Sequence, residues 1–204
     1  MIKIYLASAS PRRREILELM KLDFTVETAE ADETLPHGLS PEDAGEMLAT
    51  KKALALKEKL LKNGEFDENT VIIAADTLVY MDGEALGKPK DEKDALGMLA
   101  KLSGNKHCVC TGTCILYGEK SISSSEVSDV YMRKISPDMA LTYVATGEPL
   151  DKAGAYGIQG IGSVLVDRID GDFFSVMGLS PNTVCKLMGA LGIPYFDLLM
   201  RFMK

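Results

Sequence analysis

The sequence predicts an α/β fold with a mixed, twisted sheet and flanking helices. Two observations predict it. Helix-like runs, four of them opened by a Ser-Pro pair, alternate with short β-branched strand candidates along the chain. Two glycine-bearing turns also join neighbouring strand candidates, and such hairpins place antiparallel pairs in an otherwise parallel sheet.

Taken in order, Ile2 to Ala7 reads as a buried strand. Ser8-Ala9-Ser10-Pro11-Arg12-Arg13-Arg14-Glu15 follows, with Ser10 as N-cap, Pro11 at the first helical position, and Ile16, Leu17, Leu19 and Met20 at helical spacing. Three arginines oppose the dipole in that first turn, unless an anion such as phosphate pairs with them. The competing reading is a solvated basic helix start. Phe24 to Thr28 is the next strand candidate. Ser40-Pro41 then opens a helix to about Lys62, whose apolar stripe is read as Ala44, Met47, Leu48, Leu54, Ala55 and Leu61. Periodicity places Lys51 near the centre of that stripe and Lys52 on its flank. Snorkelling to water is the alternative to anion binding.

Thr70 to Ala75 is a strand ending at Asp76-Thr77. Strand ends are where α/β folds put ligands, and the plain alternative is a turn aspartate. Leu78 to Met81 continues, and Met81-Asp82-Gly83-Glu84 is a hairpin signal. Gly87-Lys88-Pro89 fixes a lysine in a tight turn. Asp91 caps a helix that runs to Leu102 and ends at Ser103-Gly104. Lys106 to Tyr117 and Val127 to Ile135 are strands, with Gly118-Glu119-Lys120 as a turn after the first. Ser136-Pro137 starts a helix, Ser163 to Arg168 is the last strand candidate, and Ser180-Pro181 starts a late helix. The stretch Asn63 to Asn69 and the glycine-rich loop Gly147 to Gly162 are the two places where lobes could join. Tyr195 to Met203 forms an amphipathic helix that would dock on the core or on a sister subunit in a homodimer.

Composition narrows the function. The 204 residues suffice for one core, as a single domain 1–204 or as two small lobes. A net charge of −7 disfavours a nucleic-acid polymer as partner, so the arginines form a local site in an acidic protein. No apolar run reaches the roughly 18 residues of a membrane span, and the start is too short for a secretory signal, so a cytoplasmic location is expected. Cys108, Cys110 and Cys114 share one strand face, but the outer pair would lie about 20 Å apart, too far for one metal. Small buried residues, Cys185 included, are the better reading.

Together, Ser8-Ala9-Ser10-Pro11-Arg12-Arg13, Asp32-Glu33, Ala75-Asp76-Thr77, Gly87-Lys88-Pro89, Ser103-Gly104-x-x-His107 and Asp151-Lys152-Ala153-Gly154-x-Tyr156-Gly157-Ile158-Gln159-Gly160 resemble the Maf family of nucleotide pyrophosphatases. The resemblance runs from the first strand to Gly171-Asp172 and Val176-x-Gly178-Leu179. It implies an inosine-triphosphate-pyrophosphatase-like fold, with two lobes around a cleft, and metal-dependent hydrolysis of a nucleoside triphosphate to monophosphate and pyrophosphate. The Tyr156-Gly157-Ile158-Gln159-Gly160 form of the loop is similar to the branch acting on dTTP and UTP. The 7-methyl-GTP branch carries a tryptophan, whereas this chain has none, and a cationic purine wants an aromatic face. Tyr156 is the remaining candidate for stacking.

On that resemblance Ser8, Arg12, Arg13, Lys52, Thr77 and Lys88 would bind substrate, chiefly its phosphates, and Gln159 would read the base edge with its paired donor and acceptor. Lys52 is the lysine of the family's Leu-Ala-x-x-Lys-Ala pattern. Glu33 would hold Mg²⁺ or Mn²⁺. Asp76 would be the general base, or alternatively a metal ligand. Arg14 is not needed by the motif, and Gly178-Leu179-Ser180-Pro181 departs from a family pattern with proline directly after leucine. The rival readings are a pyrophosphatase for another nucleotide, modified or 7-methyl-guanosine, and a non-catalytic nucleotide-binding regulator of cell division.

Overall fold

Strand β1 (Lys3–Leu6) and helix α1 (Pro11–Leu19) open the chain of this computed structural model, which describes residues 2–36 and 38–202. There follow β2 (Thr25–Val26), α2 (Pro41–Asn63), β3 (Thr70–Met81), β4 (Glu84–Leu86), α3 (Glu92–Leu102), β5 (Lys106–Tyr117), β6 (Lys120–Met132) and α4 (Pro137–Val144). Three short 3-10 turns then lead to β7 (Val166–Asp170), α5 (Phe173–Met177), α6 (Pro181–Ala190) and α7 (Tyr195–Phe202). The sheet runs β2-β1-β3-β5-β6-β7, with β4 paired to β3. It is mixed as expected: β1 is parallel to β2 and β3, while β3–β4 and β6–β7 are antiparallel.

All four Ser-Pro pairs start helices, with the serine at the N-cap. In α2, Ser40 Oγ accepts from Asp43 N at 3.1 Å, Glu42 and Asp43 complement the dipole, and Gly64 ends the helix in the left-handed region. The β3–β4 turn puts Asp82 and Gly83 both at positive φ, the type I′ geometry that suits a two-residue hairpin. Some strand bounds differ from expectation. β3 is one strand through Asp76 to Met81, and β6 starts seven residues earlier than expected, at Lys120. The last strand starts at Val166, because Gly160–Leu165 coils into a 3-10 turn. Met203 of the expected terminal helix lies outside the described residues.

The chain divides into two compact units. The first holds the residues up to Asp76, Thr111–Glu126 and those from Gly178 onward; the second holds Thr77–Cys110 and Val127–Met177. The divisions fall inside β3, at Cys110/Thr111 in β5, at Glu126/Val127 in β6, and at Met177/Gly178. Neither expected joint is one of them; three of the four divisions fall inside strands, where the chain passes from one unit to the next without a break.

In the first unit α2 buries Ala44, Gly45, Leu48, Ala49, Ala53, Leu56 and Leu60. Its core cluster joins Ala49, Ala53, Leu56 and Leu60 to Ala7, Ile72, Ala74, Cys114 and Leu116. Fully burying a leucine such as Leu56 or Leu60 contributes about 1.5–3 kcal/mol. The expected stripe is corrected: Leu54 and Leu61 face outward, at 45% and 51% exposure. Small residues on the true inner face let α2 lie close to the sheet, and Gly112 of β5 meets Gly45 there. A Cβ on Gly112 would stand 2.0 Å from the Gly45 carbonyl carbon. The second unit packs Val79, Leu99, Val109, Val130, Tyr143 and Leu165 into its own core. Cys110 and Cys114 are buried, in keeping with packing roles, whereas Cys108 and Cys185 are half-buried.

Candidate functional site

Ser8 follows the last residues of β1 and is 7% exposed. Ala7 N still donates to Ile73 O at 2.8 Å, so the chain leaves the sheet only at Ser8. There Ser8 Oγ accepts from Ser10 N at 3.2 Å and from Arg13 Nη1 at 3.1 Å. Arg13 Nε donates to Gly178 O at 2.8 Å. Burial pushes the Arg13 guanidinium below its ordinary pKa and Arg12 adds to that, while Asp76 and Glu33 oppose it. Three further predicted site residues, Arg12, Asp76 and Glu33, therefore lie within electrostatic reach of Arg13. Arg14 points away, paired with Glu18 Oε1 at 2.7 Å on the exposed face of α1. That explains the arginine the motif did not need.

Lys52 joins the remaining carboxylates. Its Nζ ion-pairs with Asp76 Oδ1 and lies 3.0 Å from Glu33 Oε1. The Lys52 and Asp76 side chains are 20% and 15% exposed, whereas Glu33 is 64% exposed. Lys51 turns elsewhere, donating to Thr34 O at 2.7 Å and lying 3.5 Å from Asp32 Oδ2. The position of Lys52 follows from the corrected face of α2, since its neighbour Ala53 is fully buried against the sheet. Asp76 follows five fully buried residues, Val71 to Ala75. Because β3 continues past it, Asp76 is a strand residue and not a turn aspartate.

Thr77, Lys88 and Gln159 belong to the second unit. Lys88 is exposed, and Thr77 and Gln159 are half-buried. Gln159 sits in the long loop after α4, which is ordered by 3-10 turns at Glu148–Asp151, Ala153–Ala155 and Gly160–Leu165. Tyr156 is 6% exposed and shares a 2.8 Å hydrogen bond with His107 Nε2. Its ring is thus part of the core and offers no open face for stacking. Burial lowers the His107 pKa to about 4, against an opposing pull from Asp129.

Two partners in this arrangement were given no role by the sequence. The Gly178 carbonyl reaches Arg13 from 165 residues along the chain, and the Glu148 carboxylate binds the backbone of the Gln159 loop. A long loop does announce function, but not which of its charges organises it.

The constellation can bind a polyanion through Arg12, Arg13 and Lys52 while keeping two carboxylates beside it. Among the described residues no cluster of three or more His, Cys, Asp or Glu side chains forms a metal cage. Glu33 and Asp76 nevertheless converge on one ammonium, and hard carboxylate oxygens of this kind would suit a divalent cation such as Mg²⁺. No helix among the described residues is long and apolar enough to cross a membrane.

The sequence model of the family described as "Maf-like protein" matches residues 3–191. The dTTP/UTP pyrophosphatase of Aquifex aeolicus is 42% identical over 94% of this chain and 97% of its own length. The enzyme of the same name from Caldicellulosiruptor bescii is 45% identical over 98% of each. Among solved structures, the Ham1 protein of Staphylococcus aureus aligns over 98% of this chain and 97% of its own, at 15% identity and a TM-score of 0.49.

Proposed function

Because the chain belongs to the Maf-like protein family, we propose that it acts as one Maf-like domain, 1–204, which hydrolyses dTTP and UTP to the monophosphate and pyrophosphate. One observation carries the reading from the side of the geometry: the Lys52 ammonium shared by Asp76 and Glu33, near the Ser8–Arg13 pair. A site that only bound anions would gain nothing from two carboxylates at its cations; a hydrolytic site needs them. Relatives named dTTP/UTP pyrophosphatase support the substrate.

A triphosphate carries about four negative charges, and Arg12, Arg13, Lys52 and Lys88 take its oxygens. Ser8, which already holds Arg13, completes the cradle, and Thr77 adds a hydroxyl donor. Asp76 draws the proton from a water that attacks the α-phosphorus; the new P–O bond forms as the bond to the leaving pyrophosphate breaks. Lys52 fixes the Asp76 carboxylate for that task. Glu33 would hold the divalent cation, Mg²⁺ or Mn²⁺, which would supply charge neutralisation at the phosphates. Gln159 offers a donor and an acceptor to the N3–H and O4 edge of uracil or thymine. A 7-methyl-guanosine substrate is disfavoured, since Tyr156 is buried on His107.

The deciding experiment is pyrophosphate release from a panel of nucleoside triphosphates with Mg²⁺ or Mn²⁺. Release from dTTP and UTP well above purine triphosphates is the expected result. Binding without turnover under every metal condition would leave the regulator reading standing instead.

A further inference from the structure

We infer that Glu148 and Tyr143 are positioning residues that set the reach of Gln159, and so set the pyrimidine preference. The inference rests on Gln159 as the reader of the base.

The bonds lie on both sides of Gln159. Before it, the Gly157 N–H donates to the Tyr143 hydroxyl oxygen at 3.2 Å. After it, Ile161 N donates to Glu148 Oε2 and Gly162 N to Oε1, each at 2.9 Å. The two halves are tied together, because the Tyr143 hydroxyl donates to Glu148 Oε1 at 2.9 Å. One carboxylate and one phenol therefore grip the loop at 157 and at 161–162, and leave a short arc with Gln159 in it. Lys152 locks the start of the loop by donating to the Glu148 carbonyl at 2.6 Å.

The glycines show how closely the clamp is fitted. A Cβ on Gly160 would stand 2.7 Å from Glu148 Oε2. One on Gly162 would stand 2.5 Å from the Tyr143 hydroxyl. The Gln159 side chain, in contrast, makes no hydrogen bond among the described residues and is half-buried. Its backbone is held while its amide is left for a ligand. Discrimination by a hydrogen-bonding side chain depends on such a fixed backbone, since a displacement of about 1 Å is enough to lose it.

The test uses the full chain with Tyr143→Phe, Glu148→Gln and Gln159→Ala, alone and combined. Each is assayed for kcat and KM on UTP and GTP, and for inhibition by tripolyphosphate, which probes the phosphate cradle without a base. The clamp variants should lose about tenfold in UTP-over-GTP preference, mainly through the KM for UTP, with tripolyphosphate inhibition unchanged. In the Gln159→Ala background they should change the preference no further. If Gln159→Ala alters the preference and neither clamp variant does, the positioning role is overturned. If Gln159→Ala itself leaves the preference unchanged, the base-reading role falls and this inference with it. Amide exchange of the wild-type chain covers variants that do not fold. Slow exchange at Ile161 and Gly162 supports the clamp, and exchange at the rate of an open loop overturns it.

Discussion

Lys52 and Asp76 form an ion pair between the middle of α2 and β3, with most of both side chains shielded from solvent. The same ammonium reaches Glu33 at 3.0 Å. A cation poised between two carboxylates can exchange one partner for a phosphate oxygen without being left bare, which matters because an unpaired, partly buried charge is costly.

Asp76→Asn keeps the shape and one acceptor oxygen but removes the proton acceptor. Turnover of UTP should fall by about 10²–10⁴-fold, with nucleotide affinity largely kept. Steady-state kinetics beside equilibrium binding of a non-hydrolysable UTP analogue checks this. Full activity in the variant would exclude Asp76 as base.

The position of Lys52 depends on how α2 meets the sheet at Gly45 and Gly112. Gly112→Ala would force a Cβ to within 2.0 Å of the Gly45 carbonyl carbon and 2.5 Å of Glu46 N. Backbone on both sides cannot yield as a side-chain tip would. The substitution should cost about 3 kcal/mol, read from the denaturation midpoint, and should lower activity in the fraction still folded. Gly97→Ala in α3 is the contrast: its Cβ meets nothing within 4 Å, so it should stabilise by about 0.5–1 kcal/mol.

Much of this was legible in the chain. Ser-Pro pairs punctuate helices because cap chemistry and proline geometry are local, and all four were found where expected. The bounds of β5, Lys106–Tyr117, also matched, because β-branched and small residues fill it without a break. The inner face of α2 was misread. Counting large apolar residues favours Leu54 and Leu61, whereas the sheet accepts a face of Ala44, Gly45, Ala49 and Ala53 that a hydrophobicity count undervalues. Distance along the chain hid the rest. Nothing near Arg13 announces the carbonyl of Gly178, and nothing near Asp76 announces that its strand runs on into the second unit.

Gln159→Ala should reduce the preference for UTP over purine triphosphates more than it weakens phosphate binding. Relative kcat/KM values across the nucleotide panel give the readout, and an unchanged ranking would reject the role.

Removing divalent metal tests Glu33. Chelation should abolish pyrophosphate release, and Mg²⁺ or Mn²⁺ should restore it. Glu33→Gln should shift the metal concentration for half activity upward by about tenfold or more, because one hard anionic ligand is lost. An unchanged metal requirement in that variant would remove Glu33 from the set.

The buried His107 makes stability depend on pH in a defined window. Burial lowers its pKa from 6.5 to about 4, so between these values the unfolded chain binds a proton that the folded chain does not. Stability then rises with pH: the contribution is present above about pH 6.5 and is lost as pH falls towards 4. From pH 7 to pH 5 the loss is about 2 kcal/mol. His107→Gln removes the titrating group while keeping an amide able to bond Tyr156. The variant should be less stable at pH 7, since the fit to Tyr156 is imperfect, yet its stability should vary less between pH 7 and pH 5. Denaturant melts of both proteins at pH 5, 6 and 7 provide the comparison. Parallel curves would mean that another group sets the pH dependence, whereas convergence at pH 5 assigns it to the imidazole held under the Gln159 loop.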